Sequence, residues 1–341
     1  MHLTCMEQPP LNPALMTCPH CKATDRIGVH STRERRYMCH HCRRTFAETT
    51  GTALYGLHYP SWVIVLVVTL LAHGCPVTAI VTAFCLNEKT VRLWWDRAGR
   101  HGKAVQEHLV CHGQVDLGQV QLDELCVTTQ RGKVWVATAM SVFSRLFLWG
   151  EVSQTRDTGM ILRVVSRVKD AAASPTQAVL FAVDGFAAYP KAILKTFSTK
   201  DDTGHPGRPK HLPWPNLHIV QVIKSRSGKR LKDVTRKLCH GNLSHVYALL
   251  HDTQMGPGRI NTAFIERLNA TFRSRMPSFV RRTRSLARTP GRLEREMFWS
   301  GVVYNLCTVH QTLQGTPAMA AGLVDEVWSV EHLLRFRLPV T

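Results

Sequence analysis

The rhythm of apolar and polar positions changes several times along the chain, and each change marks an expected element. Trp62 to Ala72 is almost wholly apolar; His73, Gly74 and Pro76 interrupt it, and Val77, Ile80, Val81 and Phe84 then recur at helical spacing. No formal charge occurs between Trp62 and Leu86. The apolar block is nevertheless too short to cross a bilayer, so two buried helices around a turn are expected. Cys85-Leu86-Asn87 breaks the pattern, and Asn87 can cap a second helix that begins at Glu88, its side chain accepting from otherwise unpaired backbone N–H groups. Helix, three-residue turn and helix is the arrangement that sets a recognition helix into the major groove. It would turn Lys89, Thr90 and Arg92 toward DNA, and Val91 with Trp94 or Trp95 toward the core. An ordinary helical hairpin has the same pattern.

From Gly99 to Gly118 the chain is polar, contains Gly and His, and has no clear period, so it reads as a linker. Three strand-like runs follow, Gln119 to Thr129, Lys133 to Ser141 and Phe143 to Val152, which predict an antiparallel meander. Thr155 to Ala173 reads as a helix with Ile161, Leu162, Val165 and Val168 on one face. Ala178 to Val183 is apolar throughout, as a strand buried on both faces would be, and it ends in Asp184-Gly185. Leu217 to Ile223 is a fifth strand, a helix opens near Asn261 or Thr262, and another spans Leu293 to Leu313 with Met297, Val302, Leu306 and Val309 as core. The expected organisation is a small metal-stapled module over 14–52, a helix-turn-helix over 58–98, a linker over 99–118, an α/β (α+β) domain over 119–315 and a tail over 316–341. The α/β domain is expected to be a five-stranded mixed sheet flanked by helices.

Composition narrows the class of partner. The 341 residues carry 43 Lys and Arg against 24 Asp and Glu, a formal charge of +19, while an apolar content of 44% is that of a folding chain. An excess that large opposes compactness unless a polyanion is bound, and nucleic acid fits better than an acidic membrane. The cysteines number 11, an odd count with only four in regular spacing, and Met1 to Pro13 is polar and Pro-containing, without the pattern of a secretory leader. A reducing, cytoplasmic setting is therefore expected rather than a disulfide framework.

The regular four are Cys18-Pro-His-Cys21 and Cys39-His-His-Cys42, two C-x2-C knuckles separated by 17 residues. Thiolates two residues apart on a tight turn converge on one cation, and two such pairs close a tetrahedral structural Zn2+ site. His20, His40 and His41 lie inside the knuckles, so four sulfurs are the simpler ligand set. Arg33, Arg35, Arg36, Arg43 and Arg44 surround them on a module too small to bury much, where phosphate contact is expected.

A second constellation is acidic. A carboxylate inside a strand, Asp123 or its neighbour Glu124, and another at the tip of a buried strand, Asp184, are costly to bury unless a cation meets them. Neighbours on a strand face opposite ways, so only one of Asp123 and Glu124 is expected to reach the site, and spacing does not choose between them. Glu266 is the single glutamate between Glu151 and Glu294, on a helix whose apolar stripe is Phe264, Ile265, Leu268 and Phe272; Glu266, Asn269 and Arg273 share another face. Three such carboxylates can hold two Mg2+ or Mn2+ ions for in-line attack on a phosphodiester. From Arg259 to Arg295 there are ten arginines and two glutamates, densest at Arg281, Arg282 and Arg284, a set expected to guide phosphate to the acids.

Several stretches together resemble single-chain transposases of the insertion-sequence-one (IS-one) type. They are Arg43-Arg-Thr-Phe46, Asn87-Glu-Lys-Thr-Val91, Leu122-Asp-Glu-Leu125, Val183-Asp-Gly-Phe-Ala-Ala-Tyr-Pro190, Gln221-Val-Ile-Lys224, Asn261 to Asn269 and Thr316 to Leu323. The resemblance covers nearly the whole chain. It implies a zinc ribbon, a helix-turn-helix and a ribonuclease H-like domain with Asp123, Asp184 and Glu266 as catalytic metal ligands and Arg273 as the basic residue seven positions on. It further implies binding of terminal inverted repeats, strand cleavage, transfer of 3′ ends into target DNA, and a homodimer or larger assembly on DNA in the nucleoid. Cys126 departs from the aromatic residue expected there. Two other readings are a DNA-binding regulator that no longer catalyses and a metal-dependent nuclease that cuts without joining.

Overall fold

The computed structural model describes residues 10–201, 210–228, 230–254 and 258–338. Positions 1–9 of the polar opening and 339–341 of the expected tail lie outside these. Three short strands, β1 (Ile27–Ser31), β2 (Arg36–Cys39) and β3 (Thr45–Ala47), form an antiparallel sheet in that order. Helices α1 (Ser61–Ala72), α2 (Val77–Phe84) and α3 (Glu88–Gln106) follow. Asn87 caps α3 as expected, its side chain accepting from Lys89 N, and Cys85 turns the chain between α2 and α3 in the left-handed region at φ 50°. Both Trp94 and Trp95 are buried.

The remaining elements are β4 (Gln119–Thr129), β5 (Gly132–Ser141), β6 (Phe147–Ser153), α4 (Thr158–Ala171), β7 (Val179–Asp184), α5 (Ala188–Thr196), β8 (Ser198–Asp201), β9 (Lys210–Pro213), β10 (Leu217–Ser227), β11 (Arg230–His240), α6 (Leu243–Gln254), α7 (Ala263–Arg275), α8 (Pro290–Cys307), α9 (Pro317–Ala320) and α10 (Val330–Arg335). A mixed sheet of six strands, in the order β11-β10-β7-β4-β5-β6, is flanked by helices. The meander β4-β5-β6 is antiparallel, whereas β7 runs parallel to β4 and β10 parallel to β7. Central strands read as apolar runs because helices cover both faces: every residue of β7 before Asp184 is buried.

Four expectations need correction. The sheet has six strands rather than five, because Arg230–His240 pairs antiparallel with β10. Eight of its eleven residues are exposed, and an edge strand wet on both faces carries no alternation to read. Positions 99–118 are not a linker: α3 continues to Gln106, and a π turn, Glu107–Cys111, extends it. The glycines there serve packing, since a Cβ on Gly99 would lie 2.5 Å from Arg295 O and one on Gly102 would lie 2.8 Å from Val302 Cγ1, both on α8. The final long helix begins earlier, where Thr289 caps it with Pro290 in its first turn, and ends at Cys307. The expected tail is folded: Ala53 N donates to Leu334 O, and Arg337 donates to Glu48 O and Thr50 O beside the Cys module.

One buried apolar cluster runs from Ala53 and Leu54 through α1 and α3, under the sheet, to Leu333 and Leu334. Trp299 Nε1 of α8 donates to Val68 O of α1 at 2.8 Å within it. Helices and sheet are therefore packed as one body. Among the described residues no helix is long and apolar enough to cross a membrane.

Candidate active site and metal centres

Each knuckle folds the same way. Lys22 N donates to Cys18 O and Arg43 N to Cys39 O, with Lys22 (φ 63°) and Arg43 (φ 57°) left-handed just after the second cysteine. Sulfur separations are 3.6 Å for both Cys18–Cys42 and Cys21–Cys39, and all four sulfurs lie within 4.8 Å of one another. A tetrahedron with metal–sulfur bonds of ~2.3 Å has sulfurs roughly 3.8 Å apart, so the donor set fits one Zn2+. The backbone amides of Cys42 and His41 aimed at Cys39 lower its thiol to about 6.

The second centre lies at the middle of β4 and the end of β7. Parallel register pairs Gln121 with Ala182, and continued two residues it sets Asp123 beside Asp184. Oxygens of Asp123, Glu124 and Asp184 fall within 4.8 Å of one another. The expectation that only one of the neighbours reaches the site is thus incorrect, although strand alternation still governs their partners. Asp123 accepts from Asn269 Nδ2 of α7 at 2.8 Å on one face, while Glu124 accepts from Tyr189 of α5 and from Arg156 on the other. Asp184, at the strand's end, is within reach of both faces. Arg156 is also 3.6 Å from Asp184 and stacks over Phe186, 4.2 Å from its ring centre.

Glu266 does not join that three-acid group. It stands in the same cleft, of about 480 Å³, held by Lys224 of β10 and by Thr262 Oγ1 at 2.8 Å. The acids feel one another nonetheless. Burial first, then Asp184 and Glu266, push the Asp123 carboxyl above its ordinary value, with Asn269 opposing. Burial and Asp184 likewise raise Glu124 against Tyr189 and Arg156. Burial and then Arg281 lower Arg273, with Asp123 opposing.

Of the residues that hold the cleft in shape, Gln121 and Thr138 were not named by the sequence reading, while Asn269 entered it only as sharing the face of Glu266 and Gln221 only within a stretch of the resemblance. Gln121, fully buried on β4, accepts through Oε1 from Phe264 N (3.1 Å) and Ile265 N (2.9 Å) and donates from Nε2 to Asn261 O (2.8 Å). The first turn of α7, which carries Glu266, is thereby anchored to the strand that carries Asp123. Asn269 is oriented in turn by Thr138 Oγ1, which donates to its Oδ1 at 2.9 Å. Gln221 Nε2 donates to Asp184 O and Phe186 O, fixing the turn after β7. The available signal was a glutamine two positions before Asp123, and so on the same face of the strand.

Of the residues expected to face phosphate, Arg33, Arg43, Arg44, Lys89, Arg281, Arg282 and Arg284 are exposed, while Arg36 and Thr90 are half-buried. Arg36 donates to Thr45 Oγ1. Arg35 is engaged internally by a two-point ion pair with Glu48, at 2.6 and 2.8 Å, and Arg92 pairs with Glu88 one turn away. Cys126 is exposed on β4, so its departure from an aromatic residue leaves the core intact. No family model matches the chain, and no curated protein matches it.

Proposed function

We propose that the chain is a DNA transposase of the insertion-sequence-one type. In this reading the Cys18, Cys21, Cys39 and Cys42 module is a zinc ribbon holding one Zn2+, α2 and α3 form a helix-turn-helix that binds terminal inverted repeats, and the six-stranded domain is ribonuclease H-like. The observation that carries the reading is the convergence of Asp123 and Asp184 from adjacent strands, facing Glu266 across one cleft in a strongly basic chain. Asp123 has no ion pair among the described residues and is held by a neutral amide, which leaves a half-buried carboxylate beside two others and in need of a cation.

Hard oxygen donors suit Mg2+ or Mn2+, and a bound pair of such ions supplies nucleophile activation and stabilisation of the departing oxygen in phosphodiester cleavage and strand transfer. The protein's own contribution is placement. Asn269 orients Asp123, Gln121 fixes the helix of Glu266, and Arg273 offers a positive charge to the phosphate. Two element ends must meet for transfer, so a homodimer or larger assembly on DNA goes with this activity.

The test is incubation of the full chain in Mg2+ with duplexes carrying the sequences that flank its own gene. Nicks at the ends and joined products are expected, together with a Glu266→Gln variant that binds the duplex and does not cut. Wild-type cleavage by that variant refutes the assignment. Cutting without joined products supports the nuclease reading, and binding without cutting supports the regulator.

A further inference from the structure

We infer that the hairpin formed by β10 and β11 is a second phosphate-backbone surface, which holds the DNA strand where it leaves the acidic cleft on the Glu266 side; this rests on the transposase reading. Strand β10 is shared between cleft and hairpin. Val222, Ile223 and Lys224 line the cleft, and the same strand then runs on to Ser227, turns at Gly228 (φ +59°) and returns as β11. Register ties the two regions closely. Arg236 pairs with Val222, Thr235 with Ile223 and Lys237 with Gln221, the residue that fixes the turn after Asp184. Neighbouring strands are about 4.8 Å apart, so the β11 backbone lies one strand from the cleft wall.

The charge on β11 is one-sided. Arg230, Lys232, Arg236 and Lys237 are exposed, and the single acid, Asp233, accepts from Thr235 Oγ1 at 2.9 Å. Among the described residues Arg230, Lys232 and Lys237 form no ion pair, unlike Arg163 and Arg167 of α4. Arg236 is held by donation to Ile260 O just before α7. Arg273 of α7 lies within electrostatic reach of Asp123. The acids thus have basic residues near them on α7 as well as on β11, as suits a polyanion passing over mutually repelling carboxylates. Lysines also protect an edge strand from pairing with another chain, so the salt dependence of DNA binding separates the two roles.

Charge reversal separates the two roles. The triple variant R230E/K232E/K237E and the wild type are titrated with a duplex carrying the chain's own flanking end, by fluorescence anisotropy over a range of salt concentrations. Each lost phosphate contact lowers the slope of log affinity against log salt by roughly 0.9, so a fall of about 2.7 is expected, with unfolding temperature and solution size unchanged. K237Q alone, at a paired position, is expected to lower the slope by roughly 0.9 and serves if the triple variant does not fold. An unchanged slope in a protein whose wild type binds and cuts overturns the hairpin assignment and leaves the transposase reading standing. Absence of salt-dependent binding by the wild type overturns both.

Discussion

Replacing Gln121 by Leu keeps the volume of a fully buried side chain and removes three hydrogen bonds. The Phe264 and Ile265 amides and the Asn261 carbonyl then lose their partner at a helix start, where no preceding turn can replace it. A buried backbone group left unsatisfied costs ~1–3 kcal/mol. Because the first turn of α7 borders the cleft and water can reach part of it, the low end applies, giving about 3 kcal/mol in total. For a chain of this size that corresponds to a fall in unfolding temperature of roughly 5 °C. The specific consequence is local. Hydrogen exchange at the Phe264 and Ile265 amides should accelerate well beyond the global change, and the stabilisation of the protein by Mg2+ should shrink, because Glu266 rides on the released turn. Unchanged protection at those two amides, with Mg2+ stabilisation intact, would show that the helix is held by its apolar face alone.

Cys39→Ser should remove Zn2+ from the purified protein and expose the β1–β3 module to proteolysis while α7 keeps its protection; full metal content by atomic absorption would contradict the four-sulfur site. The raised Asp123 carboxyl makes Mg2+ binding sensitive to pH. Its proton persists above the usual carboxylate value of about 4, so calorimetric affinity should be complete above the raised value and be lost as pH falls through it; a midpoint at the ordinary value would argue against burial as the cause. In the absence of divalent ions the same shift makes ionised Asp123 a liability as pH rises through that window, so Asp123→Asn should stabilise the metal-free protein at neutral pH. Gly99→Ala would ordinarily strengthen a helix by ~1 kcal/mol, yet here it should destabilise by about 1–3 kcal/mol because the added methyl meets the α8 backbone. A higher urea midpoint in that variant would refute the close crossing.

What could be read from the chain was whatever burial imposes as a period. The extent of β4, the apolar run before Asp184 and the stripe of α7 all follow from one face or both being dry, and the cap at Asn87 from its side-chain oxygen. The parts missed lacked that imprint. Strand β11 is wet on both faces, and Gly99 and Gly102 look like linker residues until α8 is laid against them. Both α9 and α10 are too short to show a period. In the cleft, Asp184 was legible as an acid at the end of an apolar strand. The partition of Asp123 to Asn269 and of Glu124 to Tyr189 and Arg156 was not, because it depends on which helix covers which face of β4. Pairing of Arg35 with Glu48 was hidden for the same reason: a basic run looks alike whether it meets solvent or a folded neighbour.

Helix α3 begins at Glu88, just after its cap Asn87 in the turn following α2, and ends beneath the sheet, 19 residues of one rod. At 1.5 Å per residue it is about 28 Å long, and its second half is clamped on α8. Such a part acts as a ruler. If its first turn reads a sequence while the acids cut, the offset between the two in base pairs is built into the helix, and lengthening the rod by one turn would shift or abolish the cut instead of being absorbed by slack.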